Sequence, residues 1–258
     1  MAVLNTADPA AKVGLTLTTA AAWRAGSITA IGQALPPARP ARPDQPEILP
    51  PNRMPRRGTG GTAGKISLLH ALAHIEFNAI DLAWDVVARF AGLALPKAFF
   101  DDWVDVAADE ARHFLGLQGL LQDLGADYGT LPAHDGLWDA ARKTADSLRD
   151  RLAVVPMTLE ARALDTAPAT IARLREAGAT DWLPVLEKVL ADEIHHVAVG
   201  VRWFDVLCRQ SGDDPAATYQ AIIRRHFTKG LKAPFNHQAR AQAGFPAAYY
   251  ETLAGLPR

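Results

Sequence analysis

Two Glu-x-x-His segments constrain the possible folds of this chain more than any other feature. Glu110 with His113 forms one pair and Glu193 with His196 the other, each in a long stretch of helical periodicity. Residues three apart share a face of a helix, so each pair directs a carboxylate and an imidazole to one side. With 8 His and 8 Glu in 258 residues, chance predicts roughly a quarter of one such pair. Two pairs on apolar faces therefore indicate a shared role.

A further glutamate precedes each pair at a similar distance. Glu76 lies 34 residues before Glu110, and Glu160 lies 33 residues before Glu193. A helix–loop–helix hairpin fits this separation, because about 20 residues of helix span about 30 Å. The order Glu, Glu-x-x-His, Glu, Glu-x-x-His is typical of the ligands of a dinuclear carboxylate site in a four-helix bundle. We therefore predict six metal ligands: Glu76, Glu110, His113, Glu160, Glu193 and His196.

Apolar periodicity predicts four core helices, and no stretch alternates like a strand, so the predicted fold class is all-α. The helices are expected at residues 62–93, 96–124, 137–164 and 181–209. Pro156 interrupts the third one four residues before Glu160, which predicts either a kink there or a boundary between two helices. A short helix over residues 166–178 is expected to join the hairpins, and another amphipathic helix is expected at residues 214–229.

The flanking segments divide the chain into three parts: residues 1–61, a core bundle at 62–210, and residues 211–258. Residues 1–10 are expected to be a loose tail and residues 16–34 a helix that breaks near Gly26. Residues 36–57 hold 8 of the 18 prolines and five arginines. Proline excludes helix and central strand, so this stretch is either a semi-rigid linker or an arm on the bundle. Residues 58–64 are expected to form a flexible turn.

Composition limits the classes of binding partner and the cellular locations that are expected for this chain. With 27 basic and 28 acidic residues, the chain does not resemble a protein that coats nucleic acid, and no DNA partner is expected. It has no apolar run long enough to cross a membrane. Residues 13–23 superficially resemble a signal-peptide core, but they are rich in threonine, so export is not expected. The single Cys208 excludes an intrachain disulfide, and a cytoplasmic location is expected.

The predicted ligand set favours particular metals. Carboxylates and imidazoles together suit iron and manganese and are acceptable for zinc. Four carboxylates and two histidines nearly balance the charge of two divalent ions. We therefore expect two metal ions, with iron as the first choice and manganese or zinc as alternatives. The metal centre itself, rather than a catalytic side chain, is expected to carry any chemistry.

Residues next to the ligands suggest supporting roles. Asp109 and Asp192 each precede a ligand glutamate, and metal-bound histidine commonly donates its other ring N–H to a carboxylate. We expect each aspartate to orient the histidine of the opposite hairpin, Asp109 with His196 and Asp192 with His113. Arg112 and Arg162 are expected to pair with these aspartates. His70 and His74 are interpreted as structural, because His74 lies about 200° around the helix from Glu76.

These motifs resemble an uncharacterised family of the ferritin-like superfamily. The resemblance rests on LLHALAHIE at residues 68–76, DEARH at 109–113, LEARALD at 159–165 and DEIHH at 192–196. The arm at residues 36–57 and the Pro234-Phe235-Asn236 string are similar to that family's flanking features as well. The resemblance implies a ferritin-like four-helix bundle with an N-terminal arm, a C-terminal helix and a tail.

The relative of known activity that the chain most resembles is a di-iron tRNA hydroxylase acting on an isopentenyl-type side chain. DEARH is also similar to a string in bacterial multicomponent di-iron monooxygenases. By analogy, these resemblances imply a di-iron centre and O₂-dependent hydroxylation. The substrate is unknown, with a modified nucleoside in RNA as a candidate, and an electron-donor protein is an expected partner.

Two other functions stay open at this stage. One is a ferritin-like iron-binding protein or ferroxidase without an organic substrate. The other is a bundle in which the metal ions merely hold the helices together. A single turnover with Fe(II) and O₂ separates the three. Iron uptake beyond two ions per chain favours storage, and no oxidation favours a structural role.

Overall fold

The computed structural model describes residues 1–33, 35–55 and 61–255, and the regular structure of these residues is helical. They contain no β-strand, only isolated bridges between Ile48 and Ala133 and between Leu231 and Ala254. The prediction of an all-α fold is therefore confirmed. The chain divides into two compact units, Met1–Arg142 and Lys143–Arg258.

A pair of long helices forms the core of the first unit. The helices that begin in this unit are α1 Pro9–Arg24, α2 Gly61–Arg89, α3 Lys97–Asp123 and α4 Gly136–Lys143. Helices α2 and α3 pack against each other, and the short connection between them makes the pair antiparallel. Large apolar side chains such as Phe77, Ile80 and Phe114 are fully buried in the unit. Burial of each contributes about 1.5–3 kcal/mol relative to leaving it exposed.

The N-terminal prediction was wrong. Residues 1–10 are not a loose tail, because Val3 and Leu4 are buried and α1 already begins at Pro9. Asp8 starts the helix by accepting a hydrogen bond from the Ala11 amide at 2.7 Å, and proline is favourable at the first helical position. The helix ends at Arg24, followed by Gly26 with φ +71°. The predicted helix over 16–34 therefore covers only the second half of α1, and Ala34 lies outside the described residues.

The proline-rich segment packs as an arm on the first unit. The Ala41 amide donates to the carbonyl oxygen of Leu4 at 2.8 Å, and the Leu49 amide donates to that of Ala133 at 2.8 Å. These bonds favour the second of the two predicted alternatives, an arm rather than a free linker. Residues 56–57 of the arm and 58–60 of the predicted turn lie outside the described residues, whereas Gly64 belongs to the first turn of α2.

The second unit contains the remaining helices. They are α5 Leu148–Val154, the π-helical turn Val155–Glu160, α6 Ala161–Glu176, α7 Leu183–Ser211, α8 Pro215–His226 and α9 His237–Gln242. The predicted helix at residues 137–164 is thus divided into α4, α5, the π turn and the start of α6. The other three predicted core helices and the helix at 214–229 are confirmed, with ends displaced by four residues or fewer.

Helix α6 continues through Pro168, where the sequence suggested a separate short helix. A proline in a helix leaves the carbonyl four residues earlier without its usual donor. Here the side-chain amide of Asn236 donates to the carbonyl oxygen of Leu164 at 3.0 Å. Asn236 therefore replaces the missing bond from a position 72 residues away in sequence, and α6 remains continuous.

None of the helices in the described parts of the chain is both long and apolar enough to cross a lipid bilayer. The division into units falls inside the predicted bundle at 62–210. The three-part domain assignment and the ferritin-like architecture therefore stay predictions.

Candidate metal centre

Three of the predicted ligands come together at the middle of the α2–α3 hairpin. Glu76 lies near the middle of α2, and Glu110 and His113 lie one turn apart near the middle of α3. Because the helices are antiparallel and of similar length, their midpoints face each other. The helical spacing that places Glu110 and His113 on one face therefore directs both towards Glu76.

The three side chains are in contact and buried. Nδ1 of His113 lies 3.3 Å from Oε2 of Glu76 and 3.3 Å from Oε2 of Glu110. Each of the three offers a donor atom within 4.8 Å of the others. Their exposed fractions are 3% for Glu76, 0% for Glu110 and 3% for His113. This cluster could hold a metal ion.

The electrostatics of the cluster fit a cation. Burial raises the pKa of Glu76, and the neighbouring Glu110 carboxylate raises it further. Burial alone would lower the pKa of His113, but hydrogen bonds to Glu110 and Glu76 raise it strongly. Both shifts have the same cause, because two adjacent buried carboxylates are more easily ionised when positive charge lies beside them. A divalent ion bound to carboxylate oxygens and an imidazole nitrogen would supply that charge.

Two nearby histidines have structural partners, as predicted. Nδ1 of His74 lies 2.9 Å from the Tyr128 hydroxyl, and Nε2 lies 3.1 Å from the carbonyl oxygen of His134. Burial is the main cause that lowers the pKa of His74 to about 4, so the ring is neutral at pH 7. Nε2 of His70 accepts a hydrogen bond from the Gly129 amide at 3.0 Å. Both rings therefore serve the connection after α3 rather than the cluster.

A buried charge network one and a half turns beyond Glu76 was not predicted. Asp81 is fully buried on α2, and Nζ of Lys12 lies 2.5 Å from its Oδ1. Arg42 of the arm lies 3.5 Å from the other oxygen of Asp81 and donates to Asn78 Oδ1 at 2.5 Å. The sequence signal was an aspartate inside the apolar stripe of α2, where a carboxylate must be paired. The network ties α1 and the arm to the helix that carries Glu76.

The other three predicted ligands lie in the second unit. Glu193 is 4% exposed and His196 is 0% exposed on α7, and Glu160 ends the π turn. Among the described residues of this unit taken alone, no three His, Cys, Asp or Glu side chains bring donor atoms within 4.8 Å of one another. The structure therefore assembles one half of the predicted ligand set, and the role of all six residues as ligands stays a prediction.

The supporting aspartates are mostly shielded from solvent. The Asp109 side chain is 18% exposed and pairs with Arg112, and the Asp192 side chain is 17% exposed and accepts from Lys188 at 2.5 and 2.6 Å. Their expected bonds to the opposite histidines stay predictions. Within its own unit, Arg162 pairs with Asp165 rather than with Asp192, and it donates to the carbonyl oxygens of Lys232 and Pro234.

Comparison with known proteins shows the family of the chain. Residues 5–251 match the family described as protein of unknown function DUF455. An uncharacterised protein of Haemophilus influenzae is 36% identical over 210 residues, which cover 80% of this chain and 73% of that relative. No solved structure matches the chain. These matches do not test the resemblance to ferritin-like di-iron proteins. They extend over nearly the whole sequence, and the chain therefore belongs to the DUF455 family.

Proposed function

We propose that this protein is a di-metal carboxylate oxygenase, with iron as the expected metal and an organic molecule as substrate. The observation that carries the proposal is the buried cluster of Glu76, Glu110 and His113, whose donor atoms lie within 4.8 Å of one another. Two carboxylates and an imidazole in a buried site are suited to iron or manganese. The resemblance to di-iron hydroxylases then supports oxygenase chemistry by analogy.

The proposal gives each half of the ligand set one role. Glu76, Glu110 and His113 would bind the first ion, and Glu160, Glu193 and His196 would complete a dinuclear centre. The second assignment rests on the repeated order of these residues in the sequence and on the pattern of such sites. Two iron ions would supply the activation of O₂ for hydroxylation of a C–H bond.

The surroundings of the first half-site would protect such chemistry from water. Phe77 follows Glu76 and Phe114 follows His113, and their rings lie 5.4 Å apart. The Tyr128 ring lies 5.2 Å from Phe77 and 5.1 Å from Phe114. These three side chains form an aromatic cluster in the first unit, and two of them follow a proposed ligand directly in sequence. Exclusion of water strengthens the hold of charged ligands on a cation.

The identity of the substrate and of the redox partner rests on the resemblance alone. A modified nucleoside in RNA is the first substrate class to test, and an electron-donor protein is the expected partner. We further propose a cytoplasmic location, because a single cysteine suits a reducing compartment.

The test is anaerobic loading of the full chain with Fe(II), metal analysis, and one exposure to O₂. We expect two iron ions per chain and their oxidation. Glu187→Ala is the control for loss of a carboxylate outside the predicted ligand set. Glu187 is exposed on α7 and pairs with Arg175, so its loss should leave the iron content unchanged. One ion or none would contradict the proposed centre. Uptake beyond two ions without substrate would favour iron storage, and no oxidation would favour a structural metal.

A further inference from the structure

Glu160 is the last residue of a single turn of π-helix. Residues Val155–Glu160 form this turn, with Pro156 near its start. The Ala161 amide donates to the carbonyl oxygen of Pro156, five residues earlier, which is the hydrogen bond that defines a π-helix. Such single turns within α-helices frequently occur at functional sites.

The π turn changes which face of the helix carries Glu160. Each residue of an α-helix advances by about 100°, so one additional residue rotates everything after it by that angle. The bond from the Ala161 amide to Pro156, five residues earlier instead of four, marks that additional residue. A continuous α-helix would therefore present Glu160 about 100° away from its position relative to Leu152.

A buried hydroxyl pair holds the turn. Oγ1 of Thr158 donates to the carbonyl oxygen of Ala153 at 2.8 Å and lies 2.7 Å from the hydroxyl of Tyr219. Because Thr158 donates its only proton to Ala153, the Tyr219 hydroxyl donates to Oγ1 of Thr158, and the carbonyl oxygen of Met157 lies 3.4 Å from the same hydroxyl. Tyr219 comes from α8 and is fully buried. These bonds join the side chain of Thr158 to the backbone of α5 just before the turn and to α8.

The opposite side of the turn lies against α7 at Gly200. A Cβ atom at Gly200 would lie 2.8 Å from both Cβ and Cγ of Pro156, closer than carbon atoms can approach without displacement. Gly200 is one helical turn after His196 on the same helix. The absence of a side chain therefore lets the π turn approach α7 next to a predicted ligand.

We infer that Thr158, Tyr219 and Gly200 are positioning residues that hold the π turn and thereby set the direction of the Glu160 carboxylate at the metal centre. This inference rests on the proposed function, because the direction of Glu160 matters only if it binds metal. None of the three residues needs to touch the metal, and their effect passes through the backbone of the turn.

The test measures binding of Co²⁺ to the full, metal-free chain and the visible absorption spectrum of the bound ion. Thr158→Val and Tyr219→Phe should weaken Co²⁺ binding by about 10–100-fold, the loss that follows disturbance of residues supporting a ligand. Both variants should also shift the absorption bands, which report ligand geometry. Thr158→Ser keeps the hydroxyl and should restore the affinity and the spectrum. Gly200→Ala should shift the spectrum in its own right.

Tyr249→Phe is the matched control. The Tyr249 ring packs against that of Tyr219 with centroids 5.8 Å apart, but its hydroxyl donates to Asp205 at 2.6 Å, so the variant loses a comparable hydrogen bond and leaves the Thr158–Tyr219 bond in place. It should leave Co²⁺ binding unchanged. Wild-type affinity and spectrum in Thr158→Val and Tyr219→Phe would overturn the inference alone, as would equal weakening in Tyr249→Phe. Failure of the wild-type chain to bind Co²⁺ would overturn the proposed metal centre and this inference with it.

Discussion

Two stretches of α2 bury carboxylates in different ways. In the second half of the helix, Asp81 pairs with Lys12 at 2.5 Å and Asp85 pairs with Arg89 at 2.7 Å. At the middle of the helix, Glu76 instead meets a second carboxylate, Glu110 of α3, at the imidazole of His113. Both stretches remove acidic groups from water, but only the aspartates have lysine or arginine cations as neighbours in these pairs.

The difference separates a structural carboxylate from a candidate ligand. A lysine or arginine keeps its charge near neutral pH, so its pair with an aspartate is complete within the protein. Two carboxylates around one imidazole carry excess negative charge when ionised, and burial makes that charge costly. A divalent cation would remove the excess. The close approach of two buried carboxylates at the middle of α2, rather than the number of buried acids, is therefore the reason that this cluster could hold a metal ion.

The largest expected effect comes from removing one carboxylate at the middle of the hairpin. Glu110→Gln should abolish metal binding by the cluster, because it removes a ligand and neutralises half of the local negative charge. Asp85→Asn is the matched control, since it makes the same chemical change in the second half of α2 and should retain the metal. Metal analysis after dialysis measures both. Equal metal loss in the two variants would remove the distinction between the stretches.

Spacing in the sequence was sufficient to predict that Glu76, Glu110 and His113 come together. Glu110 and His113 share a helical face because of their separation, and a hairpin of two similar helices brings Glu76 opposite them. The pair of Lys12 and Asp81 could not be predicted, because 69 residues separate its members and only tertiary packing brings them together. The Asp8-Pro9 start of α1, by contrast, was a local signal that could have been used.

The π turn shows where sequence reasoning stops. Pro156 correctly indicated an interruption before Glu160, because proline cannot donate its backbone hydrogen bond. Its form depends on contacts with Tyr219 and Gly200, which belong to other helices. A kink, a helix boundary and a π turn begin with the same local signal, so only distant contacts decide between them.

The next largest effect should come from breaking the buried pair in the first unit. Lys12→Met leaves Asp81 buried without its lysine, which should lower the free energy of unfolding by about 3–5 kcal/mol. The double variant Lys12→Met/Asp81→Leu removes both charges and should recover most of that loss. Urea unfolding of the metal-free protein measures each. A double variant no more stable than Lys12→Met would show that Asp81 has another essential role.

Addition of metal should raise the stability of the folded protein by a smaller amount, through binding at the middle of the α2–α3 hairpin. A cation that binds only the folded protein raises the free energy of unfolding by about 2.7 kcal/mol when its free concentration is 100 times Kd. Thermal unfolding with and without Co²⁺ measures the difference. The increase should persist in Asp85→Asn and disappear in Glu110→Gln. Stabilisation that persists in Glu110→Gln would place the bound ion elsewhere in the protein.

The smallest expected effect is a pH dependence of the free energy of unfolding that comes from Asp81. Burial raises the pKa of Asp81 to about 6, although Lys12 and Arg42 oppose the rise. The folded protein therefore binds this proton more tightly than the unfolded chain, in which the pKa is near its ordinary value of 3.8. Stability contributed by this group must rise as pH falls from about 6 towards 4, the reverse of an aspartate whose pKa is lowered by folding.

Removal of Lys12 should enlarge this dependence, because one of the two opposing cations is lost. The measurement is the difference in free energy of unfolding between Lys12→Met and Lys12→Met/Asp81→Leu, which cancels the titration of groups that the two variants share. As pH falls from 6 to 5, the free energy of unfolding of the single variant should rise by up to about 1.4 kcal/mol relative to that of the double variant. This is the change expected when folding takes up one proton. A difference that does not change with pH would mean that Asp81 stays ionised even without Lys12. Arg42 alone would then be sufficient to keep the buried Asp81 ionised. The cation that distinguishes Asp81 from Glu76 would in that case come from the arm and not from α1.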